Sequence, residues 1–185
     1  MYTTLKEVLA KADKYNFTVG SFNTHNLEML PYMIRAAKDM GSPISIQTSV
    51  GTARYIGYGV LASVCKYMAD NEGLDIDHAA KFTDIKEAIE NGYSSVMFDG
   101  SALPLKENIL RTQEVVEFAH KRGVSVEAEL GTIGGTEEGI AVAAHEVKYT
   151  DPKIAKQFVE ATNVDALDVA VGTNHGQYKS KTDIN

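Results

Sequence analysis

A single cysteine, Cys65, is all the chain holds, so no internal disulfide can form. Within its apolar helical run it reads as core filler in a reducing compartment, not as a nucleophile. Long hydrophobic runs are also missing. No stretch approaches the ~20 apolar residues that span a bilayer, and Met1 to Tyr15 reads as an amphipathic, charge-mixed helix rather than a signal peptide. The expected location is the cytoplasm, with no membrane partner. Positive charge is in short supply: 18 Lys and Arg against 25 Asp and Glu leave a formal net charge of -7. That argues against nucleic-acid binding, which relies on clustered cations over phosphates. No Pro/Gly/Ser-rich linker, low-complexity tract or internal repeat divides the sequence.

What is present suits one ordinary soluble domain. Of 185 residues, 44% are hydrophobic and 23% charged, enough for one packed core. Helical and strand signals alternate, which predicts a parallel sheet flanked by helices. The pattern places strands near 17–22, 43–48, 74–77, 93–98, 124–129 and 165–171. Helices are expected at about 3–14, 26–40, 58–70, 81–91, 104–122 and 151–161. Thr150-Asp151-Pro152 sets a capping side chain ahead of a first-turn proline and starts the last of them.

The chemistry concentrates at three strand ends. In Val126 to Glu137 a strand of alternating carboxylates breaks into a glycine-rich loop that ends on another acid. Side chains alternate across a strand, so Ser125, Glu127 and Glu129 share one face and Val124, Val126, Ala128 and Leu130 the other. A solvated face of an antiparallel strand would also explain this segment alone. Two further runs, Leu74 to His78 and Leu167 to His175, end on histidine. In alternating β/α folds the strand C-termini gather round one site. Two imidazoles among carboxylates there suit a zinc-like ion with a position left open for substrate.

These residues resemble a known family. Asp77-His78, then Val126 to Gly131 with Gly134-Gly135 and Glu137, then Gly172-Thr173-Asn174-His175-Gly176 with Tyr178-Lys179, look like the successive signatures of class II, zinc-dependent ketose-bisphosphate aldolases. Gly20 to Glu28, Ser42 to Ser49, and Ser95 to Ser101 with Pro104 and Glu107-Asn108 resemble the supporting strands and loops, in order along nearly the whole chain.

The resemblance implies a TIM (β/α)8 barrel of which only about the first six βα units are present, a single domain over 1–185 that is incomplete at its C-terminal side. It implies retro-aldol cleavage of a ketose 1,6-bisphosphate, fructose or tagatose, as in glycolysis and related carbohydrate metabolism. His78 and His175 would be zinc ligands, Glu129 an alternate or supporting carboxylate, Asp77 the acid/base at the C4 oxygen and Glu137 the shuttle for the carbon-bound proton. Asn23, Ser49, Asp99 and Gly176 would hold substrate hydroxyls or phosphate, with room for a monovalent cation. A homodimer or homotetramer is expected. Two departures stand out. The chain is about four residues shorter than the family pattern between Met68 and Asp77, with Asp75 where a histidine is usual, and Asp168 sits mid-strand in place of a small or apolar residue. Two other readings are a non-catalytic barrel paralogue serving as a structural subunit and a metal-dependent hydrolase. Six strands would leave both sheet edges unpaired.

Overall fold

The computed structural model describes residues 1–73, 76–81, 85–137, 140–142 and 147–173. Its centre is a sheet of six strands, β1 (Gly20–Asn23), β2 (Ile44–Thr48), β3 (Ile76–Lys81), β4 (Ser95–Phe98), β5 (Ser125–Leu130) and β8 (Ala166–Val169), in the order β1-β2-β3-β4-β5-β8. Every adjacent pair is parallel, so each connection must cross over, and helices supply the crossings. These are α2 (Leu30–Asp39) after a single 3-10 turn, α3 (Val50–Ile56), α4 (Tyr58–Glu72), α5 (Ile85–Glu90), α6 (Leu105–His120) and α7 (Pro152–Thr162). A short antiparallel hairpin, β6 (Gly135–Glu137) with β7 (Ile140–Val142), lies between β5 and α7.

Alternation sorts each strand into two faces. Ile44, Ile46, Val96, Val126 and Ala128 are buried in the core with helix residues such as Ile34, Leu61, Cys65 and Val116. The opposite face carries Ser21, Ser45, Gln47, Met97, Glu127 and Asp168, which line a cavity of about 460 Å³. Helix α1 (Leu5–Tyr15) closes the N-terminal ends of the strands. Thr4 and Glu7 form its capping box, and its next amides are satisfied by the sheet. The Leu5 amide donates to Ser95 Oγ at 2.9 Å and the Lys6 amide to Ser125 Oγ at 3.2 Å, the first residues of β4 and β5. Helix α7 begins as its sequence predicts: Asp151 accepts from the Lys153 amide at 2.7 Å and Pro152 occupies the first turn.

Three details differ from the expected elements. The stretch 50–56 is a separate helix, capped by the Ser49 hydroxyl. The segment around Glu137 is a hairpin arm rather than plain loop. The third strand is displaced from 74–77 to Ile76–Lys81, pairing Asp77 with Ser45 and His78 with Ile46. Asp77 and His78 therefore lie in the first half of β3 and not at its C-terminal end. Connection length explains this. Helix α4 runs to Glu72 and stops at Gly73 in the left-handed conformation. If His78 stood opposite Thr48, Leu74 would have to stand opposite Ile44, with Gly73 alone to turn the chain. Asp75 lies outside the described residues.

Candidate functional site

The C-terminal ends of the strands carry four of the polar residues singled out in the sequence, Asn23, Ser49, Asp99 and Glu129. Asn23 ends β1, exposed and opposite Gln47. Ser49 follows β2, and its hydroxyl accepts from the Thr52 amide at 3.2 Å and donates to Thr52 Oγ1 at 3.1 Å. A substrate group reaching Ser49 would share an oxygen already used as a helix cap. Asp99 follows β4, and one of its carboxylate oxygens accepts from the Ser101 amide at 2.7 Å, which closes a tight Asx turn.

Glu129 stands near the end of β5, opposite Asp168 on β8. Two carboxylates on adjacent strands thus belong to the cavity-side rows of one sheet, with Glu127 one step toward the N-terminal end. Like charges so arranged raise the cost of leaving both ionised unless donors or a cation lie close. Among the described residues, no three His, Cys, Asp or Glu side chains come together closely enough to hold a metal ion. His175 and Gly176 lie outside the described residues. So do the side chains of Asp77, His78 and Glu137, although β3 and β6 place their backbones.

The foot of the Glu137 loop is built from residues whose role was not legible in the sequence. Gly131 has φ +87°, and a Cβ there would stand 2.6 Å from the Lys148 carbonyl oxygen and 2.8 Å from Ala170 Cβ. The Thr132 amide donates to that same Lys148 oxygen at 2.9 Å. Thr150 ties β5 to β8: its hydroxyl donates to the Leu130 carbonyl and accepts from the Ala170 amide at 2.9 Å. The loop therefore leaves and rejoins the sheet at one stitched point. In sequence Thr150 reads only as part of a helix start.

Farther down, two polar groups are fixed by their surroundings. Burial alone would raise the pKa of Asp165, but the Val126 amide, Lys6 and His120 hold it below the ordinary carboxylate range. Burial pushes the Tyr93 phenol well up, so it stays protonated while it pairs with Thr48 Oγ1 at 3.1 Å.

The profile of the family described as fructose-bisphosphate aldolase class-II matches residues 3–185. The chain belongs to the class II fructose-bisphosphate aldolase family. It is 42% identical over 185 residues to a fructose-bisphosphate aldolase of Giardia intestinalis, covering 97% of this chain and 56% of that protein. It is 40% identical to the fructose-bisphosphate aldolase of Staphylococcus aureus strain Mu50, covering 96% of this chain and 64% of that one. Among solved structures, the YdjI aldolase of Escherichia coli K12 superposes with a TM-score of 0.84 at 31% identity, over 100% of this chain and 66% of that one. The chain thus spans between about half and two thirds of the length of these aldolase relatives. The six-stranded parallel sheet matches the corresponding part of their fold.

Proposed function

We propose that the protein catalyses the reversible aldol cleavage of a ketose 1,6-bisphosphate, fructose or tagatose, to dihydroxyacetone phosphate and glyceraldehyde 3-phosphate. The observation that carries this reading is 42% identity, spread over 97% of the chain, to a protein named fructose-bisphosphate aldolase. Asn23, Ser49, Asp99 and Glu129 at the C-terminal side of one parallel sheet support it, because that is where α/β barrels assemble their sites.

In this reading cleavage breaks the C3–C4 bond. Asp77 takes the proton of the C4 hydroxyl as the aldehyde forms, and the electron pair is left on C3. Glu137 then gives its own proton to that carbon, Asp77 releases the one it took to solvent, and condensation reverses both transfers. Asn23, Ser49 and Asp99 orient hydroxyls or phosphate, and the Gly176 backbone approaches a phosphate closely, as glycine permits. The donor set of His78, His175 and Glu129 suits zinc by chemistry, with imidazole nitrogens and a carboxylate oxygen. When bound, the ion supplies Lewis-acid polarisation of the C2 carbonyl. A monovalent cation beside the phosphate, a cytoplasmic location and a homodimeric or homotetrameric state belong to the same proposal. So does closure of the barrel by further βα units alongside β1 and β8.

The position of Asp77 and His78 in the first half of β3 favours a second reading, a non-catalytic paralogue acting as a structural subunit. A coupled assay on both bisphosphates, with zinc and after chelation, separates the two. Turnover that chelation abolishes is expected. Full turnover in chelator would rule out the zinc mechanism, and none with stoichiometric zinc bound would favour the structural subunit.

A further inference from the structure

Asn108 sits in the first turn of α6 with 1% of its surface exposed, although nothing in an apolar helix face calls for an amide there. Its partners explain it. Strand β4 stops at Phe98, opposite Ala128. Leu130 turns its carbonyl toward β8, where the Ala170 amide and the Thr150 hydroxyl meet it. Successive carbonyls alternate along a strand, so that of Glu129 faces the other way, past the end of β4. Asn108 Nδ2 donates to this oxygen at 3.0 Å and takes the place of a strand neighbour. Its Oδ1 accepts from Thr112 Oγ1 at 3.1 Å, which fixes the amide's orientation, and Thr112 is itself fully buried.

The same amide presses on the neighbouring loop. Gly100, between Asp99 and Ser101, packs so tightly against it that a Cβ at position 100 would lie 2.5 Å from Asn108 Cγ and closer still to Oδ1. One buried side chain thus holds the backbone beneath Glu129 and limits how far the Asp99 turn can settle. We propose that Asn108 is a positioning residue that sets Glu129 and Asp99 relative to each other at the C-terminal mouth of the sheet. Without Asn108 the Glu129 carbonyl loses this bond, and the backbone that carries the acid is held less closely at the end of β5. Misplacement of a reacting constellation by an ångström can cost about a hundredfold in rate.

The kinetic test rests on the aldolase reading, whereas the exchange test does not. In the protein as it assembles, Asn108→Ala should lower kcat on fructose 1,6-bisphosphate by about tenfold to a hundredfold with KM nearly unchanged. Gly100→Ala alone should lower kcat similarly. In the Asn108→Ala background the added methyl enters vacated space, so the double variant should be better than the product of the two defects. Amide hydrogen exchange should quicken at 99–101 and 129–131 in Asn108→Ala and stay unchanged in α2 and α4. Strictly additive defects, or faster exchange spread evenly over the chain, would overturn the proposal. A wild-type protein without turnover would count against the aldolase reading, and exchange would still decide the role of Asn108.

Discussion

Asp165 shows how one residue can hold three elements. Its carboxylate, 2% exposed, accepts from His120 Nε2 at 2.7 Å, from the Val126 amide at 2.9 Å and from Lys6 Nζ at 2.9 Å, which links α6, β5 and α1. Replacing it by asparagine should cost about 2 kcal/mol, the range for hydrogen bonds to a charged group, read as a lower urea midpoint. The pH dependence follows from the lowered pKa. A carboxyl that is more acidic folded than unfolded contributes stability above its unfolded pKa and loses it as pH falls through the folded one. Wild type should therefore lose stability below about pH 4, the ordinary aspartate range, and Asp165→Asn should lose less over the same interval. At the proposed site, Asp77→Ala should lower turnover about a hundredfold with bound metal retained, as for loss of an acid/base group. Loss of metal in that variant would move Asp77 from catalyst to ligand. Glu137→Ala should slow proton exchange at the ketone phosphate and leave metal content intact.

Among elements, the loop foot and the start of α7 form one unit. Asp151→Ala should destabilise the protein by about 1 kcal/mol, the usual effect of losing an N-cap acceptor. Gly131→Ala is the harsher change. It combines a positive φ with a carbonyl oxygen 2.6 Å from the new methyl, and strain plus overpacking together suggest about 3 kcal/mol. Because Thr132 and Thr150 share this point, the variant should also admit protease within the 131–148 loop. Limited proteolysis that leaves the loop as resistant as in wild type would show the foot to be dispensable.

On the scale of the molecule, the edges decide behaviour. Among the described residues β1 pairs only with β2, and β8 only with β5. Phe22 is 53% exposed on β1, beside an apolar groove of about 410 Å³ between that strand and α2, lined by Gly20, Met33, Met40 and Pro43 among others. Parallel sheets are rarely left uncovered, and unpaired edges recruit other strands. Residues 1–185 expressed alone should therefore associate. Light scattering across a concentration series should show mass rising with concentration. A monomer with one cooperative unfolding transition would show that the open edges carry no such liability.

The sequence by itself determined the order of the six sheet strands and the main helices between them, the parallel sheet, the start of α7 and the family. These rest on local periodicity, cap chemistry and motif order, which need no knowledge of neighbours. It also marked Asn23, Ser49, Asp99 and Glu129 as residues of strand ends, which is where they lie. Only the tertiary structure decided the register of β3, because the space between the end of α4 and the first pair with β2 depends on both partners. The same holds for Asn108 and Thr150. Each is an ordinary polar residue in a helical start, and what makes it matter is a carbonyl about 20 residues away in sequence, brought within hydrogen-bonding reach by the packing of helix on sheet.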